Sequence, residues 1–286
     1  MGQDFRSCPY EGTVQYRLFV RLFVVAVLLA MPMRLAYAQR GAQPNVPAAP
    51  TPRTADGRVI WGALPGHKGV WNAQGSTLWD LDKEDPNLGF TSFNTGKIKL
   101  SQVPLQPWAR ALVNERMIEL NEPYTRCKPS GGARNLFTPY GTEFLDFPEQ
   151  KRFVITNTGG PHTYRIIYYD GRPHPQDLEP TFLGHSVGHW EGDTIVFDTI
   201  GFNEQFWIDR QGTPHTDKLH LVERLTRTDF NTIKYEVTIE DPGAYTALWK
   251  GGFNMRFTPD QESFEFMCQD NMRTSEINGL TSRVVP

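Results

Sequence analysis

From about residue 150 onward, apolar and polar residues alternate in short runs broken by turn formers, the pattern of strands with one face buried. Thr232-Ile-Lys-Tyr-Glu-Val-Thr-Ile239 is the cleanest run. Ile233, Tyr235, Val237 and Ile239 fall on one side of it, and Lys234, Glu236 and Thr238 on the other. Phe153 to Thr156, His162 to Tyr169, Thr194 to Ile200, Lys218 to Leu225 and Ser263 to Cys268 continue the series, with turns predicted at Gly159-Gly-Pro161 and Asp170-Gly171. The run at Thr194 is apolar on both faces, which predicts a central strand. Asp198 then sits on a buried element, where a carboxylate needs a partner. One helix stands out, from Pro107 to Leu120, because Ala109, Leu112, Val113, Met117 and Leu120 recur at helical spacing. Its stripe is expected to pack on a sheet. Short, regularly spaced strands with little helix between them predict a mainly β fold, an antiparallel lipocalin-like barrel or sandwich, rather than an α/β fold.

The first 38 residues read as an export signal. A polar stretch ending in Arg17 and Arg21 leads into the apolar run Leu22 to Ala30, and Ala36-Tyr-Ala38 has the small-x-small form of a cleavage site. The run is shorter than the ~20 residues that span a bilayer, so no stable membrane span is expected after cleavage, and the periplasm or the exterior is the expected location. Residues 39–56, with Pro44, Pro47, Pro50 and Pro52 among Ala, Gln and Thr, read as an extended linker, and residues 57–286 as a single β-rich domain. Cleavage removes Arg6, Arg17, Arg21 and Arg34 against Asp4 and Glu11, a net of +2, so the charge passes from −3 to −5. A mildly acidic chain without a basic patch argues against a nucleic-acid partner. Cys8 leaves with the signal. Cys127 and Cys268 remain as candidates for one disulfide or as two buried thiols.

Six of the seven histidines lie between His162 and His220, interleaved with Asp198, Asp209, Glu223, Arg165 and Arg172. Histidine titrates near neutral pH and ligates metals, and carboxylates orient it, so this stretch is where a site is expected. A two-residue loop at Glu191-Gly192 would set His185 opposite Asp198, which is one way to raise the basicity of a general base and also one way to satisfy two polar groups in a core. His215, next to Pro214 and Asp217, reads as a loop residue at a strand mouth. On alternation His220 faces with Val222 and Arg224, whereas Glu223 shares the apolar face of Leu219, Leu221 and Leu225. Glu223 is therefore either an acid of raised pKa or the partner of an arginine. No cofactor motif is present. A divalent metal would need ligands converging from separate strands, such as His162, His185 and His215, because His185 and His189 on one strand lie about 13 Å apart. Ser186 in Gly184-His-Ser-Val-Gly188 has a strand-like context without the strand, turn and helix of a nucleophile elbow.

Several long motifs occur in order: Gly159-Gly-Pro-His-Thr-Tyr-Arg-Ile-Ile-Tyr-Tyr-Asp-Gly-Arg-Pro-His174, Gly184-His-Ser-Val-Gly-His-Trp-Glu-Gly-Asp-Thr194, Asp198-Thr-Ile-Gly-Phe-Asn203 and Phe206-Trp-Ile-Asp-Arg-Gln-Gly-Thr-Pro-His-Thr-Asp-Lys-Leu-His-Leu-Val-Glu-Arg224. Through them residues 52–270 or so resemble a large uncharacterised family of exported acidobacterial and proteobacterial proteins. The resemblance implies export and one β-rich domain, and it carries no activity with it. Relatives of that kind can carry Arg at the position of His189, whereas His162, His174, His185, His215 and His220 match the pattern.

These observations lead to three expectations. The first is an exported enzyme using acid–base chemistry to hydrolyse, eliminate from or isomerise a small polar-aromatic or sugar-like molecule. In it His185 with Asp198 is the base and Glu223 or Asp209 the acid, with His215 nearby. His162, Tyr164, Arg165, Arg172, His174, Trp190, Trp207 and His220 would hold the substrate. The second is a lipocalin-like periplasmic binding protein for a small-molecule ligand, and the third a metal-dependent hydrolase. Oligomeric state is left open.

Overall fold

The computed structural model describes residues 49–85, 95–119, 122–138, 140–161 and 163–268. The stretch expected to be an export signal, the first part of the expected linker and His162 lie outside the described residues. Nine strands close into a barrel in chain order: β1 (Gly69–Ala73), β2 (Thr142–Phe147), β3 (Arg152–Asn157), β4 (Tyr164–Tyr168), β5 (His185–Glu191), β6 (Thr194–Ile200), β7 (His220–Arg227), β8 (Thr232–Glu240) and β9 (Trp249–Pro259). The expected mainly β, lipocalin-like barrel is what the chain forms. Every pairing is antiparallel except β4 with β5, which is parallel. A parallel pair cannot be joined by a hairpin. The chain after β4 accordingly runs back through residues 169–184, and Thr181 of this crossover bridges to Phe202.

Alternation sorts the side chains as the strand pattern requires. On β6, Ile195, Phe197 and Thr199 point inward and are buried, and on β8 Ile233, Tyr235, Val237 and Ile239 do the same. Asp198 therefore points outward, with its side chain 38% exposed, and the buried position expected for it is corrected. The outward face of β6 reads apolar in sequence because Val196 is itself covered.

β9 lies in a stretch for which the alternation gave no prediction. Its inward series Trp249, Phe253, Met255 and Phe257 is nonetheless regular. The glycine at 252 is a packing requirement, because a Cβ there would come within 2.5 Å of the Tyr235 carbonyl oxygen. The predicted strand at residues 263–268 is not one, and β1 and β2 close the barrel in its place.

The lumen is filled. A 3-10 helix at Gly132–Phe137 is buried along its length and seats Phe137 on Phe253, with ring centroids 4.2 Å apart. Trp61 packs edge to face against Phe144 and Phe153, whose own rings stack. Helix α1 (Pro107–Glu119) begins on a proline, whose missing N–H costs nothing in the first turn. Ala109 and Val113 are buried. The helix packs on loops rather than on the sheet, with Trp108 Nε1 donating to Gly243 O and Arg116 to Gly212 O. Cys127 and Cys268 form a disulfide that links the chain ahead of the barrel plug to the segment after β9.

Residues 49–56, read as linker, are tied to the barrel. Phe230 N donates to Ala49 O, Thr51 Oγ1 donates to Arg227 O, and Arg53 pairs with Asp193 in the β5–β6 turn. Among the described residues no helix is long and apolar enough to cross a membrane.

Candidate functional site

The β5–β6 loop consists of Gly192 and Asp193, since Glu191 pairs with Thr194. Gly192 takes φ +60°, which a tight hairpin turn demands. The register is thus two residues from the one expected: Val187 opposes Asp198, and His185 opposes Ile200. A shift of two keeps every side chain on its face, so His185 and Asp198 both point outward. The gap between them is filled from the crossover by His174.

His174 Nε2 lies 2.9 Å from Asp198 Oδ1, and His174 Nδ1 lies 2.8 Å from His185 Nδ1. On the other side of the carboxylate, His220 Nε2 is 2.7 Å from Asp198 Oδ2 and its Nδ1 is 3.3 Å from Glu240 Oε2. These contacts restrict the tautomers. A carboxylate only accepts, so His174 donates from Nε2. In the tautomer in which His174 Nδ1 accepts from His185 Nδ1–H, a lone pair is left on His185 Nε2. That nitrogen has no hydrogen-bond partner among the described residues. Burial, the neighbouring His174 and the Arg172 charge lower the His185 pKa, which favours the neutral ring. His220 faces two acceptors, an arrangement that favours the doubly protonated ring. Burial opposes this, but the hydrogen bonds and charges of Asp198 and Glu240 outweigh it and raise its pKa.

His185 lines a crevice of about 440 Å³ at the β4–β5 seam, together with Tyr164, Tyr168, Thr181, Arg165 and Ser186. The seam opens here because the parallel ladder holds only Ile167 to Ser186 and Tyr168 to Val187. At Gly184, φ +65°, the chain turns off, and a Cβ would come within 2.6 Å of Ile200 O. Tyr168 stacks on His185 with centroids 5.7 Å apart, and Arg172 covers its ring at 4.2 Å.

Behind the crevice lies the barrel's polar core. Arg165 makes a two-pronged ion pair with Glu223 and donates to Thr199 Oγ1, and Tyr235 donates to Glu223 Oε1. Both charged side chains are excluded from solvent. Glu223 is therefore the arginine partner and not a free acid, and Arg165 spends its charge inside the protein. Its Nε remains buried without a partner. Ser186 points inward and shares a hydrogen bond with Thr199.

Other expected site residues lie elsewhere. Asp209 is buried and accepts from the backbone N–H groups of Leu78, Gln211 and Thr213 and from the Thr213 hydroxyl, which stabilises a turn. Burial raises its pKa against those bonds. His215 is buried against Phe206, its two ring nitrogens facing the carbonyls of Thr216 and Phe206, and burial lowers its pKa. Trp207 packs under Arg116. Trp190 is at the opposite end of the barrel, against Trp61 and Phe153. Arg172 stays beside the crevice, over the Tyr168 ring, with its charge paired to Asp170. Of the combination His162, His185 and His215, His162 lies outside the described residues; among the described residues no group of three or more His, Cys, Asp or Glu is arranged to hold a metal ion. Glu240 was missed, although the register that sets it opposite His220 follows from pairing two strands that alternation had located.

No protein-family model, curated protein or solved structure matches this chain.

Proposed function

We propose that the protein is an exported acid–base enzyme, of hydrolase or lyase type, acting on a small polar-aromatic or sugar-like molecule in the β4–β5 crevice. The observation that carries this reading is the ordered chain Asp198, His174, His185, which ends on an unshared basic nitrogen in a pocket. In this reading His185 Nε2 takes the proton, and the Asp198 charge, acting through His174, stabilises the imidazolium that results. His174 is a positioning residue. Tyr164 and Tyr168 supply flat walls.

Two measurements test it. Nitrogen NMR of the imidazoles is expected to give His185 as the Nδ1–H tautomer at neutral pH and His174 as Nε2–H. Turnover of a panel of chromogenic aryl esters and aryl glycosides is expected to fall about 10²–10⁴-fold in His185→Ala. An Nε2–H tautomer at His185, or turnover unchanged in the variant, overturns the assignment.

A further inference from the structure

At the end of the barrel away from His174, His185 and His220, the strap of residues 56–61 and the β2–β3 and β5–β6 turns line a second, partly open cavity of about 410 Å³. This is within the ~300–1,000 Å³ usual for small-molecule sites. Its walls are aromatic. Tyr169 and Trp61 each stand 5.9 Å from Trp190, centroid to centroid, at 76° and 44°, which leaves ring faces and edges around one space.

Its polar groups are already matched to one another. Asp146 accepts from the Tyr169 hydroxyl at 2.7 Å and lies 3.6 Å from Arg58, Asp56 takes the Arg58 Nε at 2.7 Å, and Asp193 is paired with Arg53. Lys151, over the Tyr169 ring at 6.0 Å, is the cation of this group that has no ion pair among the described residues. A cationic ligand would have to displace Arg53 or Arg58 from these carboxylates, and an anionic one would meet Asp56, Asp146 and Asp193 beside Lys151. A neutral ligand with many hydroxyls would keep these pairs and bridge between them, each hydroxyl donating to a carboxylate and accepting from a cation, while its apolar face lies on an indole.

We infer that this cavity is a carbohydrate-binding site for a neutral mono- or disaccharide, with Trp190 and Tyr169 as stacking surfaces and Asp146, Lys151 and Asp193 as hydroxyl partners. The assignment is independent of the crevice, which opens at the other end of the barrel between β4 and β5. The strap that forms one wall is held in place: Arg53 anchors it to Asp193, Arg53 bridges to Val59, and Arg227 donates to the Ile60 carbonyl. Burial and the hydrogen bond to Asp146 push the Tyr169 pKa up, so its hydroxyl stays protonated across the physiological range.

The test is titration of the purified protein with glucose, galactose, N-acetylglucosamine, maltose and cellobiose, read by tryptophan fluorescence and by calorimetry. Saturable binding of at least one sugar is expected, weakened about tenfold or more by Trp190→Ala and by Lys151→Ala, and unchanged in His185→Ala. Lys151 is exposed, so its variant keeps the test valid if Trp190→Ala fails to fold. No saturable binding by any of the five sugars overturns the assignment. So does binding that survives Lys151→Ala at full strength, or binding lost in His185→Ala, which would move the sugar to the crevice.

Discussion

Replacing Glu223 by Gln removes one charge and almost no volume, and the barrel places that charge where its loss is costly. Arg165 and Glu223 are 1% and 0% exposed, joined by two hydrogen bonds between β4 and β7. Burial alone would lower the Arg165 pKa, and the Glu223 charge more than offsets this, so the guanidinium stays ionised inside the barrel. A unit pair about 4 Å apart attracts by about 4 kcal/mol at an effective dielectric of about 20. Taking each ion from water costs several kcal/mol, so the pair as a whole contributes little net stability. Removing only the carboxylate charge leaves the desolvated guanidinium uncompensated.

The expected cost of Glu223→Gln is therefore about 3–5 kcal/mol. For a domain of this size that corresponds to a fall in Tm of roughly 6–20 °C. The double variant Arg165→Met with Glu223→Gln, in which the amide still accepts from Tyr235, is expected to regain most of the loss. Urea unfolding followed by tryptophan fluorescence measures all three proteins. A Glu223→Gln protein within about 1 kcal/mol of the parent, or a double variant less stable than the single, refutes the account of Glu223 as a core ion-pair partner.

Two further outcomes follow from the geometry. The folded His220 pKa lies above the ordinary histidine value, so its contribution is complete below about pH 6.5 and is lost as pH rises through the raised value. His220→Gln should accordingly destabilise the protein more near pH 5.5 than near pH 9, by a modest amount because the ring is one-third exposed, and a melting-temperature difference that stays constant over this range contradicts the Asp198–His220–Glu240 arrangement. The disulfide closes a loop of 141 positions, for which the chain-entropy relation gives up to about 5 kcal/mol, so the Cys127→Ser, Cys268→Ser double variant should lose about 3–5 kcal/mol in chemical unfolding, and an unchanged transition midpoint would count against the crosslink.

The barrel was legible in the sequence because strand alternation is a local signal of period two. Each of Thr194–Ile200 and Thr232–Glu240 carries its inward and outward faces in its own residues, and Glu223 could be assigned to the apolar face before its partner was known. β9 escaped because its Gly251-Gly252 pair answers to a close approach of β8 and Leu78, a reason that lies on other segments. The histidine cluster was legible as a region of the chain but not as a site. His174 is in a crossover with no strand pattern, and only the parallel β4–β5 pairing carries that crossover back along the barrel to set the ring between Asp198 and His185.

The same reasoning explains the residues that dispersed. Asp209 and His215 lie close in sequence to the cluster, yet turns at the barrel end bury both among backbone groups that their side chains satisfy. Arg165 and Glu223 are 58 positions apart, and nothing local marks them as partners. Sequence by itself determined the strand faces, the helix and the β class of this protein, because those rest on period and composition over a few residues. Tertiary structure alone decided which polar side chains meet, because closing the barrel sets register and handedness across distant strands, and a side chain's partner depends on both.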